Sequence, residues 1–449
     1  MRFSALSGRR VAVWGVGRET LAFLRQVRER LPDTTVDAVV LDAPDDAAIA
    51  ELRDTGLLSR DTNVIGPQDL AAPARSWEVL VRSPGVSVYR DEVVALHASG
   101  VEVATPTGLW LSERGGTRVV AVTGTKGKST TSTALHHILA AADVDTDLVG
   151  NIGRPAIELV GEPSDRWAVL ELSSYQIADL TVGPQIAGLT NLYKEHTDWH
   201  RGEAAYRHDK LRLFTLPEVR DVVCGPDADL DVAAGAVVHR FGTANGWHLA
   251  GESVAHPDGT YIAPEELPLR GSHNALNLCA ALTLVDAMEC PRPALPAGLR
   301  AVSPLPHRLE TVWRDAGVDW VDDSISTTPE SALAALEAYR DRFVIVLAGG
   351  LDRDQDYHQL GQEIASRGAI VIGMHSTGNR VVAAARQAGV PEERAILVAD
   401  LPAAVATARQ LCRTDAVVLL SPAAPSYDAY RDFEQRGDHF ADLAARRSA

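Results

Sequence analysis

Short apolar runs rich in β-branched residues recur along the chain. They occupy residues 11–14, 38–41, 119–122, 168–172, 343–347 and 417–420. Between them lie stretches rich in alanine and leucine whose apolar positions return at helical spacing, as in 19–31 and 131–142. Short apolar runs predict buried strands, and strands that alternate with helices predict parallel α/β units.

Breaks in this pattern divide the chain into three blocks. A turn-rich stretch at 114–116 precedes a fresh strand, and five prolines fall between Pro291 and Pro306, where they prevent regular helix or sheet. We therefore expect three α/β domains, over residues 1–113, 114–303 and 304–449. The proline-rich stretch is expected to act as a linker or hinge.

Composition and charge exclude several classes of function. Of the 449 residues 46% are hydrophobic, as in a folded globular protein, and the net charge of −17 repels nucleic acid and anionic membranes. No apolar run approaches the roughly 20 residues that a membrane helix needs. The four cysteines lie far apart without a CxxC pair, and no secretory leader is evident. We expect a cytoplasmic protein with neither nucleic-acid nor membrane partners.

The strongest motif runs from Val122 to Thr130, with the sequence VTGTKGKST. A predicted strand precedes it and a predicted helix follows, which is the context of a phosphate-binding loop. Backbone N–H groups there can surround phosphates, Lys128 can neutralise a β/γ-phosphate pair, and the Ser129 hydroxyl can bind Mg²⁺. Val122 stands where the common motif has its first glycine, so this loop is a variant.

A second glycine turn follows the first predicted strand. Gly15 and Gly17 let the backbone approach a pyrophosphate, but the third glycine of a dinucleotide-binding turn is missing. A strand–glycine–helix turn also occurs as a purely structural connection, so both interpretations stay open. Asp42 after the next strand is a candidate for a ribose or base, and the turn at 82–86 resembles another loop of backbone donors.

Polar residues follow two strands of the central block. Glu171 begins the sequence ELSSYQ at the end of one strand, and residues 191–200 follow another with His196 among them. Ligand sites of parallel sheets lie at these strand ends. A histidine among oxygen ligands suits Mg²⁺ or Mn²⁺ better than zinc. We expect a metal site here, although a single histidine is more often a loop or core residue.

Two predicted helices carry further candidates. Lys210 follows His196 by fourteen residues, and alone it would be read as a surface lysine. Asn274 and Asn277 are three residues apart, which places their amides on one helical face where they can contact a purine edge. A helix cap is the alternative interpretation of that segment.

The third block contains several polar strand ends. Arg308 could reach a γ-phosphate and Asp323 a ribose hydroxyl across the domain gap. The segments 349–354 and 421–427 each follow an apolar strand. We expect them to border one crevice.

Taken in order, these motifs resemble those of the Mur ligases, the ATP-dependent amide ligases of peptidoglycan precursor assembly. The resemblance covers nearly the whole chain and is closest to the MurD type, which adds glutamate to UDP-N-acetylmuramoyl-L-alanine. It implies a Rossmann-like N-terminal domain that binds the UDP substrate, a central ATP-binding domain with a mostly parallel sheet, and a Rossmann-like C-terminal domain that binds glutamate and clamps the nucleotide. It also implies an acyl-phosphate mechanism and a monomer.

The resemblance implies roles residue by residue. The catalytic residues are Lys128, Lys210 and His196. The ATP-binding residues are Gly124, Thr125, Lys126, Gly127, Lys128, Ser129, Thr130, Asn274, Asn277, Arg308 and Asp323, with His307 beside the last two. The substrate-binding residues are Gly15, Gly17, Arg18, Asp42, Ser83, Gly85, Asn151, Ser173, Gln176, Thr327, Arg353, Ser426, Tyr427 and Phe433. The metal ligands are Ser129, Glu171, His196 and Lys210, the last as a carbamate formed with CO₂.

Three positions depart from the D-glutamate-adding type. Ile325 and Arg353 replace lysines, and Tyr427 stands where leucine is frequent. The chain resembles instead the variant that adds L-glutamate, whose product a separate epimerase inverts. Addition of D-glutamate remains the main alternative. Folylpolyglutamate synthesis, by a ligase that lacks the first domain, and nucleotide binding without catalysis are more distant ones.

Overall fold

The computed structural model describes residues 1–43, 45–70, 77–193, 198–269, 271–295, 297–302 and 306–446. Its contacts group the chain into two compact units, Met1–Val302 and Ser303–Ala449. The alternating pattern predicted an α/β fold, and this prediction is confirmed. The further division of the first unit near residue 113 stays a prediction. Within the described residues, no helix combines the length and apolar composition that a membrane crossing requires.

The first unit begins with a five-stranded parallel sheet. Its strands are β1 (Arg10–Trp14), β2 (Thr35–Val40), β3 (Asn63–Ile65), β4 (Val79–Arg82) and β5 (Glu102–Ala104), and its helices are α1 (Arg18–Arg30), α2 (Asp46–Asp54), α3 (Asp91–Ala98) and α4 (Pro106–Arg114). The strand order is β3-β2-β1-β4-β5. Successive strands are therefore added on one side of β1 up to β3 and on its other side from β4 onward. Parallel sheets of this kind bind ligands at the point between β1 and β4 where this order switches.

A six-stranded parallel sheet follows. Its strands are β6 (Val119–Thr123), β7 (Thr146–Gly150), β8 (Trp167–Glu171), β9 (Ile186–Leu189), β10 (Asp221–Cys224) and β11 (Val237–Arg240), in the order β11-β10-β9-β6-β8-β7. Its helices are α5 (Lys128–Ala141), α6 (Ser174–Ile177), α7 (Glu203–Leu211) and α8 (Ser272–Ala287). β6 and β8 are buried along their whole length, as expected of parallel strands covered on both faces. The register pairs Val122 with Glu171, so the phosphate-loop motif and Glu171 leave the sheet side by side.

A small antiparallel sheet packs within the same unit. Its strands are β12 (His248–Ala250), β13 (Ser253–Ala255) and β14 (Tyr261–Ile262). Trp247, Val254 and Ile262 belong to one buried cluster with apolar residues of α5 and α8. The sheet therefore completes the hydrophobic core beside the helix that carries Asn274 and Asn277.

The second unit has its own six-stranded sheet. Its strands are β15 (Glu310–Asp315), β16 (Val318–Asp322), β17 (Phe343–Ala348), β18 (Ile370–Gly373), β19 (Ala395–Leu397) and β20 (Ala416–Leu420), in the order β15-β16-β20-β17-β18-β19. Its helices are α9 (Pro329–Glu337), α10 (His358–Ser366), α11 (His375–Gln387), α12 (Leu401–Leu411) and α13 (Phe433–Ala445). β15 and β16 pair in antiparallel fashion, and the other neighbours are parallel. The carboxyl ends of β16, β20 and β17 consequently meet at one edge.

Candidate active site

The phosphate-loop motif forms a tight turn between β6 and α5. Gly124 has a φ of +147° and Gly127 a φ of +80°, values that residues with a side chain rarely adopt. A Cβ on Gly124 would clash with Thr190, and one on Gly127 with Asn277. Gly127 is the N-cap residue of α5, and the N-terminus of a helix attracts anions. The backbone geometry therefore suits a bound phosphate.

The segment after β9 holds this loop in place. The Asn191 side chain accepts a hydrogen bond from the Lys126 N–H (2.8 Å) and donates one to the Lys126 carbonyl (2.9 Å). The Thr190 hydroxyl donates to the same carbonyl (2.6 Å), and the Thr125 N–H donates to the Asn191 carbonyl (3.0 Å). We did not anticipate Thr190 and Asn191 as loop-holding residues. Their place at the end of β9, the strand beside β6, is the signal that could have identified them.

Both predicted catalytic lysines converge on the loop. The Lys128 amine donates to the carbonyls of Gly124 and Thr125, at 3.0 Å each. Lys210, only 2% exposed on α7, donates to the Gly124 carbonyl at 2.6 Å. Its amine also lies 5.1 Å from the centre of the Tyr206 ring. Lys210 is thus a buried amine beneath the phosphate loop and not a surface lysine.

The lysines of the chain are confined to the segment that contains the phosphate loop. The chain contains only four lysines, Lys126, Lys128, Lys194 and Lys210, and arginine supplies every other permanent side-chain cation. Lys194 lies outside the described residues. Lysine differs from arginine as a compact amine that can react and lose its charge. Its restriction to one stretch is a second signal that our sequence reasoning did not use.

The surroundings of Glu171 fit a divalent cation. Glu171 ends β8 and is fully buried; its Oε1 accepts a hydrogen bond from the Asn151 amide at 2.8 Å. Its Oε2 is buried without a hydrogen-bond partner among the described residues. A buried carboxylate oxygen without a donor is costly unless a cation neutralises it. Oxygen donors of this kind suit Mg²⁺ or Mn²⁺.

The rest of the predicted metal shell is only partly visible. Ser129 lies in the first turn of α5, next to the loop. His196, predicted as both a ligand and a catalytic residue, lies outside the described residues. In the described part of the chain no three His, Cys, Asp or Glu side chains cluster as a metal site. The predicted set would not form such a cluster, because a serine and a modified lysine belong to it.

The two candidate adenine contacts lie together on α8. Asn274 and Asn277 are each 9% exposed, and the Asn277 amide nitrogen lies 3.5 Å from the Asn274 carbonyl oxygen. A small cavity lies between α5 and α8, lined by Thr130, Ala134, Leu267, Leu269, Asn274 and Leu278. Asn277 also touches the loop at Gly127. The arrangement leaves a partly apolar space next to the phosphate loop, and the adenine role of the two amides stays a prediction.

The predicted UDP-substrate residues surround the point between β1 and β4. Gly15 has a φ of +84°, and a Cβ there would press on Ser83 at 3.1 Å, so the two turns are in contact. Arg18 donates to the carbonyls of Gly150, Asn151 and Gly153 at 2.8–2.9 Å. Arg18 thereby ties α1 to the backbone around Asn151, the residue that donates to Glu171. Contact of Arg18 with a ligand stays a prediction, as do the roles of Gly17 and of Asp42, which pairs with Arg90 at 2.6 Å.

Ser173 and Gln176 are engaged within the protein. They form a capping box on α6: the Ser173 hydroxyl accepts from the Gln176 N–H, and the Gln176 carbonyl oxygen accepts from the Ser173 N–H at 2.8 Å. The Gln176 amide donates to Glu19 at 2.6 Å. Burial raises the pKa of Glu19. Both residues stabilise the strand end that carries Glu171, and their contact with substrate stays a prediction.

In the second unit, the candidate glutamate loops meet at the carboxyl edge of the sheet. The Leu351 N–H donates to the Pro425 carbonyl at 2.8 Å, which joins the loop carrying Arg353 to the loop carrying Ser426. Ser426 is buried, whereas Arg353 and Tyr427 are exposed. The other two candidates lie at the same edge: Thr327 precedes α9, and Phe433 opens α13.

Arg380 on α11 holds the Arg353 loop. It donates to the Gln355 carbonyl at 2.7 Å and pairs with Asp352 at 2.5 Å. Its guanidinium also lies 5.6 Å from the centre of the Tyr357 ring. Arg380, which holds the loop that carries Arg353, is therefore not among the predicted site residues. It lies on α11, the helix that follows β18, the strand next to β17.

Asp323 is a buried carboxyl at the end of β16. The Ser421 hydroxyl donates to it at 2.8 Å and the Leu309 N–H at 3.3 Å. Burial raises its pKa to about 7. Nearby, Asp322 accepts from His307 Nδ1 at 2.7 Å and raises the pKa of that histidine. Arg308 Nε is buried without a hydrogen-bond partner in the described part of the chain. The predicted nucleotide contacts of Arg308 and Asp323 stay predictions.

The raised pKa of Asp323 predicts a pH dependence of stability. Between pH 3.8, the ordinary value, and about 7, the folded unit binds this proton more tightly than the unfolded chain does. The free energy of unfolding therefore falls as the pH rises through this window, by about 4 kcal/mol at about 1.4 kcal/mol per pKa unit. Asp323→Asn should remove this slope, as measured by urea unfolding across the window. Identical slopes in the two proteins would contradict the prediction.

Comparison with known proteins covers almost the whole chain. Residues 122–285 match the family model described as Mur ligase middle domain, and 307–424 match that described as Mur ligase, glutamate ligase domain. The UDP-N-acetylmuramoyl-L-alanine–L-glutamate ligase of Xanthomonas axonopodis pv. citri is 40% identical over 463 residues, covering 99% of this chain and 97% of that protein. The protein of the same name from a Micromonospora strain is 40% identical over 456 residues, covering 98% of each.

Solved structures resemble the fold. The MurF ligase of Thermotoga maritima, determined in complex with ADP, superimposes with a TM-score of 0.58 over 100% of this chain and 97% of that one. Its sequence is 16% identical, so this likeness concerns the fold alone.

Proposed function

Because this chain belongs to the Mur ligase family, we propose that it is an ATP-dependent ligase that joins L-glutamate to UDP-N-acetylmuramoyl-L-alanine. The observation that carries the proposal is the identity of about 40% over the full chain to ligases of that name. The loop geometry at Gly124–Lys128 and the Lys128 ammonium, 3.0 Å from two of the loop carbonyls, support ATP as the co-substrate. The five-stranded sheet of residues 10–104, which a folate ligase would lack, supports a UDP-linked acceptor.

The proposed reaction has two steps. The alanine carboxylate of the acceptor attacks the γ-phosphate of ATP, which gives an acyl phosphate and ADP. The glutamate nitrogen then attacks the acyl carbon, loses a proton, and displaces phosphate through a tetrahedral intermediate. Because two anions meet in the first step, the protein must offset charge on the phosphoryl oxygens.

The residues of the chain divide this task. The turn at 124–127 would hold the phosphates with backbone N–H groups, and Lys128 would neutralise them. We propose that Glu171, Ser129 and a carbamate on Lys210 hold Mg²⁺, which when bound supplies positive charge at the phosphates. Asn151 orients Glu171 through its 2.8 Å hydrogen bond. His196 is proposed to share this task. A separate epimerase acting on the product, a cytoplasmic location and a monomeric state remain predictions of the sequence.

The choice of glutamate enantiomer follows from the remodelled loops. Ile325 removes a cation that the D-glutamate-adding type has, and Arg353 can hold a carboxylate by two parallel hydrogen bonds where lysine offers a point charge. A change in the loops that supply cations and hydroxyls to the glutamate changes which enantiomer is preferred. We therefore expect kcat/KM for L-glutamate to exceed that for D-glutamate by about tenfold or more.

The assay incubates the protein with UDP-N-acetylmuramoyl-L-alanine, ATP, Mg²⁺ and each enantiomer separately. A Lys128→Ala preparation made in parallel reports any contaminating ligase. A preference of about tenfold for D-glutamate would overturn the enantiomer assignment and leave the ligase proposal intact. Absence of product with either enantiomer would overturn the ligase proposal itself.

A further inference from the structure

A buried chain of hydrogen bonds lies beneath the phosphate loop. His200 Nδ1 donates to Asp209 at 2.6 Å, and His200 Nε2 lies 2.9 Å from the Ser174 hydroxyl. The Tyr89 hydroxyl donates to the same Asp209 carboxylate, at 2.9 and 3.0 Å from its two oxygens. None of these four residues belongs to our predicted site.

The spacing of Ser174, His200 and Asp209 is that of a nucleophile, its base and the acid that orients the base. Their exposures of 1%, 0% and 3% rule out that role, because no substrate can reach the serine. A buried polar chain with every member paired instead rigidifies the elements that it connects.

These hydrogen bonds connect three elements of the candidate site. Asp209 immediately precedes Lys210 on α7. Ser174 is the first residue of α6, which follows Glu171 and the end of β8. Tyr89 lies just beyond the turn that carries Ser83 and Gly85. His200 therefore links the buried lysine to the strand end of the candidate metal ligand and to the substrate turn.

Trp199 reinforces the link to the turn. Its indole N–H donates to the Gly85 carbonyl at 3.0 Å, and its own carbonyl accepts from the Ser87 hydroxyl at 2.6 Å. Its ring stacks on Tyr175, with centroids 4.5 Å apart and planes 19° apart. Burial, with the bond to Asp209, raises the pKa of Tyr89 to about 12, so the phenol keeps its proton at neutral pH.

We propose that His200 is a positioning residue that acts through Lys210. It fixes Asp209, and with it the last turns of α7, so that the Lys210 side chain, whose amine donates to the Gly124 carbonyl, is held beneath the phosphate loop, where it would carry the proposed carbamate. Tyr89 couples that position to the turn at 83–86. This inference rests on the proposed ligase function for its kinetic consequence but not for its structural one.

The kinetic test compares His200→Gln with a control variant, His239→Gln, which breaks another histidine–aspartate pair in the same unit. His239 bonds Asp221 at 2.8 Å near the edge of the central sheet, so His239→Gln breaks the same kind of pair away from the site. We expect His200→Gln to lower kcat by about thirtyfold with the KM for ATP changed less than about threefold, and His239→Gln to leave both nearly unchanged. A kcat within about threefold of wild type for His200→Gln would overturn the proposal.

A double-mutant cycle separates positioning from a general structural role. If His200 acts through Lys210, adding His200→Gln to Lys210→Ala should cost less than about threefold in single-turnover rate. A loss that repeats in full in that background would overturn the proposal.

Amide hydrogen exchange provides a readout that needs no substrate. His200→Gln should speed exchange in α7 and around Tyr89, while exchange in residues 306–446 stays unchanged. Unchanged exchange in α7 would overturn the positioning role. If wild type forms no glutamyl product, the proposed function fails, and this measurement alone decides the inference.

Discussion

Lys128→Ala should abolish amide formation, with a loss of about a thousandfold or more in kcat. Its ammonium lies 3.0 Å from two carbonyls of the loop, so a phosphate bound there would meet it directly. Backbone donors alone cannot offset the triphosphate charge in a site shielded from water. Steady-state kinetics with both substrates measure the loss.

Lys128→Met is the matched variant, because it keeps most of the side-chain volume and removes the charge. It should fail to the same extent, while binding of the UDP substrate to either variant, measured by calorimetry, should persist. Turnover within about threefold of wild type in either variant would defeat the phosphate-loop assignment.

Lys210→Ala should be nearly inactive, for a different reason. The amine is 2% exposed, and a lysine beside divalent cations must lose its positive charge to be tolerated there. A carbamate, formed by attack of the neutral amine on CO₂ with loss of a proton, would do this and would supply the oxygen ligands that Mg²⁺ prefers. We expect a short carboxylic acid such as acetate to restore part of the activity.

Lys210→Arg distinguishes a carbamate from a simple cation. Arginine keeps the positive charge but forms no carbamate, so Lys210→Arg should be as inactive as Lys210→Ala. If Lys210 acted only as a cation, Lys210→Arg would be active without acetate. An active Lys210→Arg variant would refute the carbamate, and so would a wild type whose rate is unchanged after CO₂ is removed. Either result would leave the ligase proposal standing.

Local patterns in the sequence were sufficient for the elements and for the phosphate loop. The apolar runs at 119–122 and 168–172 correspond to β6 and β8, and the glycine-rich turn between β6 and α5 has the backbone that its residues require. These features depend on neighbours within a few residues, so a single sequence can specify them.

The partners of the site residues could not be predicted in the same way. Asn191 meets Lys126 across 65 residues, and Arg18 meets Gly150 across 132. Such contacts depend on strand order, which a sequence pattern does not contain. Gln176 was predicted as a substrate-binding residue, but its capping role was missed, although serine followed three residues later by glutamine is the signature of a capping box.

The confinement of lysine to one stretch of the chain has a practical consequence. Apart from the amino terminus, every primary amine of the protein lies between residues 126 and 210, and the three described ones are in or against the phosphate loop. Dyes, cross-linkers and coupling chemistries that target amines usually modify a protein's surface at random. Here they would modify Lys126 and Lys128 of the phosphate loop, so attachment through Cys290 or Cys412, which are partly exposed, is the route that avoids the loop.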